Sequence, residues 1–175
     1  GSKLMTGPGS PVIAINVHVV LEGSYNASTG LMNGAMRAAG LVPLTEPYTA
    51  LGYTYTGTVG GSTTPAVLAV GGADAVHDWV IVELRSAADP AAVVYSRAAL
   101  IQRDGQVCDF GGVSPVTFSV SPGSYYLAVR HRNHLGAMTA AAIGYSATPS
   151  FLDMAAPGFP CYGTEAMKTL AGSFP

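Results

Sequence analysis

Val12-Ile13-Ala14-Ile15-Asn16-Val17-His18-Val19-Val20-Leu21 places Ile13, Ile15, Val17, Val19 and Leu21 at odd positions and sets Asn16 and His18 between them. Successive side chains of an extended chain point to opposite faces, so period two over this length reads as a strand with one face buried. The same kind of signal recurs in the second half of the chain, over residues 66–70, 76–85, 92–103, 107–110, 116–120, 124–132 and 138–147. Gly71-Gly72, Asp89-Pro90, Asp104-Gly105, Gly111-Gly112, Pro122-Gly123 and Gly136 fall between or within these runs. They supply the positive or fixed φ that hairpins and connections need. Short strands at such intervals, with no long helix between them, predict an all-β fold, an antiparallel β-sandwich of immunoglobulin-like or jelly-roll-like form.

Residues 22–40 carry Gly23, Asn26, Gly30 and Gly34, and the spacing predicts a short helix over 31–39 capped by Gly40. Residues 41–64 are rich in Pro, Gly, Thr and Tyr and read as an ordered surface loop or irregular edge, with a turn at Gly60-Gly61-Ser62. Near the other end, Pro157-Gly158-Phe159-Pro160 breaks the strand pattern, and a short helix is expected over 164–170 with Thr164 as its cap. The expected organisation is a tag or linker remnant over 1–11, a β-sandwich domain over 12–153, and a tail over 154–175 whose helix packs on the domain or leaves it.

The 175 residues are 49% apolar, but Asp, Glu, Lys and Arg make up only 10%, against about 25% in ordinary soluble domains. Ser, Thr, Gly, Asn and Tyr must then cover the surface, a composition that suits secreted β modules. A net charge of -2 without clustered Lys and Arg argues against a nucleic-acid partner. No stretch approaches the roughly 18 apolar residues that a membrane-crossing helix needs, and no basic amphipathic helix is visible. Membrane insertion is therefore not expected. Cys108 and Cys161 are the only cysteines, so they form either one bridge, worth about 3 to 4 kcal/mol for such a loop, or two separate buried thiols.

Polar residues cluster at Arg130-His131-Arg132-Asn133-His134. On a continuing strand His131 and His134 face opposite ways, so they share a metal only if the chain turns at Asn133. With Leu127 and Val129 on its side, His131 reads as a hydrogen-bonded histidine at the core edge. Arg130 and Arg132 then project together from the other face, to clamp a ligand carboxylate or to pair internally. Over 76–85, Trp79, Ile81, Glu83 and Arg85 share one face and Asp78, Val80, Val82 and Leu84 the other. Glu83 is the natural partner for Arg130 or Arg132, in a cross-strand pair worth up to about 1 kcal/mol. Trp79 reads as the core aromatic in preference to a sugar-stacking platform.

Asp78, Glu83, Arg85, Arg103, His131 and Asn133 make up the expected structural polar cluster. The candidate binding residues are Tyr25, Asn26, Tyr48, Tyr53, Tyr55, Arg130, Arg132 and His134, whose aromatic rings carry polar tips for a glycan or protein. Asp104-Gly105, with Asp109 nearby, reads as a hairpin turn, because the alternating acids and terminal Glu of an EF-hand are missing. A calcium ion held through loop carbonyls and carboxylates stays open, and the metal ligands stay unassigned. No GxSxG, P-loop, GxGxxG or HExxH pattern occurs. A hydrolase would instead have to gather acids such as Glu22, Glu46, Asp78 and Glu83, or histidines, from separate strands.

Val19-Val20-Leu21-Glu22-Gly23-Ser24-Tyr25-Asn26, Gly30-Leu31-Met32-Asn33 and Leu44-Thr45-Glu46-Pro47-Tyr48 are followed by residues 78–85, 100–105, 113–116 and 128–136 in a recognisable order. In these motifs the chain resembles a module of secreted Bacteroidota surface proteins, hemagglutinin-like or adhesin-like and associated with type IX secretion. The resemblance implies an extracellular, cell-surface, non-catalytic part whose partners are neighbouring domains of a parent protein, or a surface glycan or protein. It implies no particular ligand.

Overall fold

The computed structural model describes residues 12–164, so the expected remnant over 1–11 and all but the first residue of the expected C-terminal helix lie outside the described residues. The described residues form eleven strands: β1 (Ile13–His18), β2 (Tyr25–Asn26), β3 (Leu31–Met32), β4 (Val76–Ser86), β5 (Val93–Gln102), β6 (Gln106–Cys108), β7 (Val116–Phe118), β8 (Gly123–His131), β9 (His134–Met138), β10 (Ile143–Tyr145) and β11 (Ser150–Asp153). Two single-turn helices, α1 (Ala35–Ala38) and α2 (Pro65–Leu68), interrupt the long segment before β4.

Nine strands join in the order β10-β8-β4-β5-β6-β1-β11, with β7 beside β1 and β9 beside β8. Every pair is antiparallel except β1 with β11. Short β6 carries the hydrogen bonding from one layer to the other: Val107 pairs with Ile101 of β5 on one side and with Val17 of β1 on the other. The sheet folds back on itself, and one cluster takes Ile13, Ile15 and Val17 of β1, Val116 and Phe118 of β7, and Leu152 of β11. Against them lie Val80, Val82 and Leu84 of β4, Ile101 of β5, and Leu127 and Val129 of β8. This is the all-β sandwich that the alternation predicts, with inward side chains at every second position.

The opposite face of β4 is covered as well. Trp79 and Ile81, with Ala98, Leu100 and Cys108, pack under Val42, Tyr48, Tyr53, Tyr55, Val67, Leu68 and Phe110. Residues 42–68 therefore form an overlay on the sheet. Polar ties fix it there: Tyr48 Oη donates to Trp79 O at 2.6 Å, Trp79 Nε1 to Pro43 O at 2.8 Å, and Thr56 N to Ser96 Oγ at 2.8 Å. Trp79 is fully buried, as its reading as a core aromatic requires.

Three expectations are corrected, and one open alternative is decided. Residues 66–70 are not a strand, because Thr64 caps α2 by accepting from Val67 N and Pro65 supplies a preset φ at its first turn, which outweighs the apolar run. The helix expected over 31–39 is confined to α1, since Leu31 and Met32 pair with β2; Gly40, at φ 67°, still ends it. The strand expected over 138–147 is two strands, β9 and β10, and β9 starts earlier because the chain reverses at Arg132-Asn133. Both cysteines are free thiols, Cys108 under the overlay and Cys161 against the central core, so the bridged alternative falls.

The Asp104-Gly105 turn joins β5 to β6. Gly105 has φ 97°, and an added Cβ would lie 2.7 Å from His18 Nε2 and 2.8 Å from Val19 O. Gly72, at φ 79°, has open space around the same position. Gly72→Ala is expected to cost about 1 to 2 kcal/mol from backbone conformation alone, and Gly105→Ala clearly more, because the clash adds to it. Urea midpoints at constant m-value measure both; equal losses would refute the steric argument.

Candidate functional site

Two carboxylates on β4 organise the polar interior. Glu83 is 0% exposed and faces the overlay. Its Oε1 accepts from Tyr53 Oη at 2.7 Å and from Arg130 Nη1 at 3.1 Å, and its Oε2 accepts from Arg85 Nε at 2.9 Å and Nη2 at 2.5 Å. The β4–β8 register pairs Ile81 with Arg130 and Glu83 with Ala128, so Arg130 reaches Glu83 diagonally and lays its guanidinium 5.6 Å from the centre of the Tyr53 ring. Burial pushes the Glu83 carboxyl up, but the Tyr53, Arg85 and Arg130 donors outweigh it and hold the group below the usual carboxylate range. Tyr53 is pushed up to about 12, by burial first. The Glu83–Arg130 pairing that the sequence suggests is present, but as part of a buried four-donor arrangement. The surface-pair magnitude does not apply to it.

Asp78 anchors the second group. Its Oδ1 accepts from Trp79 N at 2.8 Å, and its Oδ2 meets His131 Nε2 at 3.0 Å and Arg132 Nη2 at 2.8 Å. A carboxylate only accepts, so His131 carries its proton on Nε2 and offers Nδ1 as an acceptor. That Nδ1 takes the Asn133 N–H at 3.2 Å and lies 2.8 Å from His134 Nδ1. His134 must then be the Nδ1–H tautomer, with its Nε2 beside Gly23, where an added Cβ would come within 3.1 Å. The two histidines converge because the chain turns at Arg132-Asn133. Their nitrogens, however, face each other at hydrogen-bond distance, closer than the roughly 3.3 Å between two ligands of one tetrahedral zinc. Among the described residues no group of three or more His, Cys, Asp or Glu side chains could hold a metal ion.

A third acid, Glu46, is buried in the overlay and accepts from Tyr48 N at 2.7 Å, from Tyr55 Oη at 2.8 Å, and from the Thr49 hydroxyl. It shapes the overlay from within, and only its place in Glu46-Pro47-Tyr48 hints at a turn.

The candidate binding residues are dispersed. Tyr48 is buried, with its hydroxyl tied to Trp79 O, and offers no ring face to a ligand. Tyr53 and Tyr55 are half-buried, edge to face at 4.8 Å, with their hydroxyls on Glu83 and Glu46. Tyr25 and Asn26 sit on the small β2–β3 hairpin, where Asn26 Oδ1 accepts from Ser28 N. Arg130 and Arg132 were expected on one face; the reversal at Arg132 sends them to different acids. Arg103 stands outside the ion-pair cluster and binds carbonyls, Met32 O at 2.7 Å and Gly72 O at 3.2 Å. Asp104 accepts from Gln106 N at 3.0 Å and Asp109 from Gly111 N at 3.0 Å, as turn carboxylates do.

Arg37 donates to Leu68 O at 3.1 Å, and Arg97 donates to Thr117 O at 2.7 Å while lying over the Phe110 ring. Among the described residues, all six arginines are thus held by partners within the chain.

No family model matches this chain. No curated protein and no solved structure matches it either.

The geometry yields two expectations. Replacing both arginines, Arg85→Met with Arg130→Met, leaves a buried carboxylate with Tyr53 alone and is expected to cost about 3 to 5 kcal/mol. Arg130→Met by itself should cost far less, because its side chain is 51% exposed. Chemical denaturation of the three variants checks the order.

His77, buried with Nδ1 donating to Asn33 O at 2.8 Å, is held below the ordinary value of 6.5 by burial first, and His134 likewise. Between the folded and unfolded values the unfolded chain binds more protons, so this stability is whole above about pH 6.5 and declines as the pH falls from there. Glu83, also depressed, keeps its contribution until lower pH. Tm should therefore be level from about pH 8 to 7 and fall towards pH 5, with a shallower fall in His77→Gln. An identical slope in that variant would refute the assignment.

Proposed function

We propose that this chain is a non-catalytic module of an extracellular surface protein, with a structural or adhesive role in contact with neighbouring domains, a neutral glycan or a protein surface. One observation carries the reading: the groups that chemistry would need free are bound to one another. Glu46, Asp78 and Glu83 are saturated by donors, and His131 is held between Asp78 and His134. Such closed networks fix an architecture.

Exposed side chains supply a second support. Leu41, Leu51, Val59, Val113, Phe151 and Leu135, the last 98% exposed, give the surface apolar contact points. With every described arginine bound to a partner within the chain, the surface is poorly suited to phosphate or acidic polymers. The extracellular placement rests on the low charge content and on the motif resemblance to secreted surface modules.

A glycan array together with a pull-down using candidate neighbouring domains tests the reading. Binding that weakens no more than about fivefold between low and high salt is expected, because apolar and hydroxyl contacts, which are not screened, supply most of it. Blank results in both would leave only the spacer role. Turnover of a panel of glycoside and ester substrates by the wild type, lost in His134→Gln, would replace the module with the hydrolase.

A further inference from the structure

Asp74 breaks the pattern of internal pairing. Among the described residues it is the charged side chain for which no partner exists: Glu22 has an interaction of its own, the other acids accept from backbone or side-chain donors, and the arginines are bound as described above. Asp74 is exposed and borders a depression of about 410 Å³, whose walls include Val67 and Val70 beside α2, Val76 and Gln102 of the sheet, and Val113. Gly111 and Gly112 line it too; a Cβ on Gly112 would press on Val67 Cγ1 at 3.1 Å, and its φ of 76° suits glycine alone. Gln102 Nε2 donates to Gly112 O at 3.4 Å.

The depression thus combines apolar walls and one unpaired carboxylate with the Gln102 side chain, and no arginine lines it. We propose that it receives a lysine side chain from a partner protein. The four-carbon stem would lie along Val67, Val70 and Val113, and the ammonium would donate to Asp74 and to Gln102 Oε1. Lysine suits it better than arginine, because a compact ammonium with three donors needs fewer acceptors than a guanidinium with five. This rests on the reading of the chain as a binding module and names the chemistry of one contact.

Titration of the whole chain with Nα-acetyl-lysine N-methylamide, followed by amide NMR, tests it. The amides of Asp74, Gly111, Gly112 and Val113 should shift with a dissociation constant on the order of millimolar. Asp74→Asn should weaken binding roughly two- to fivefold, as does high salt, whereas Asp89→Asn, in the β4–β5 turn, should not change it. Equal shifts with the uncharged norleucine analogue, equal binding by Asp74→Asn, or no shifts at all would overturn the site. Tighter binding by a variant with Lys3→Met and Lys168→Met would show that the chain's own lysines compete for it, and would overturn the assignment to a partner. Glycan or protein binding that persists unchanged in Asp74→Asn would sink this site and leave the module reading standing; substrate turnover with an intact lysine site would do the reverse.

Discussion

From Val76 to Leu84 every side chain of β4 is buried, and that double burial dictates much of the remaining structure. A central strand covered on both faces reads as a near-continuous apolar run, and any acid within it must find donors or lose its charge. Asp78 and Glu83 are those acids. Donors arrive from one flank of β4 and from the overlay: Arg130, His131 and Arg132 from β8 and its turn, and Tyr53 from residues 42–68. The carboxylates therefore specify which segments may lie beside the strand. An overlay displaced by one residue would bring a different hydroxyl to Glu83 and leave Trp79 Nε1 without Pro43 O.

The two layers depend on β6 in a comparable way. Three residues long, it must satisfy β5 and β1 together, and Val107 stands in both registers. The Asp104-Gly105 turn sets that register, and His18 secures it: its Nε2 meets Asp104 O at 2.7 Å while its Nδ1 meets Asp153 at 2.7 Å in β11. One histidine of β1 thus ties the turn to the sheet edge. The polar residue at an even position in Val12–Leu21 is a join between three elements, which alternation alone does not reveal.

What was legible in the sequence followed local rules. Alternation located β1, β4, β5 and β8, and the Asp-Gly and Gly-Gly pairs marked their ends, because pleat and positive φ are properties of a few consecutive residues. The misread places had competing local signals. Thr64-Pro65 capped a helical turn where an apolar run suggested a strand, and Arg132-Asn133 made a reversal without the glycine that usually advertises one. The candidate site was half legible: the pairing of Glu83 with an arginine follows from the faces of two strands, but its burial depends on residues 42–68 closing over it. That closure links Tyr53 and Glu83 across 30 residues of sequence, and no spacing rule encodes it. The same closure turned Tyr48 from a candidate platform into core.

The distribution of charge has a further consequence for how such a surface can recognise anything. The chain is only 10% charged, and the described arginines are engaged by carbonyls, acids and rings of the fold, so few charges are left free to meet a partner. Long-range steering between a nearly neutral surface and its partner is small, and association then relies on shape, hydroxyls and scattered apolar side chains. On such a surface one unpaired carboxylate in a depression stands out more than it would on an ordinary protein, where neighbouring cations would neutralise it. The networks that engage the described arginines are therefore also what makes Asp74 distinctive: the same few charges fix the fold and leave, among the described residues, one acid unanswered.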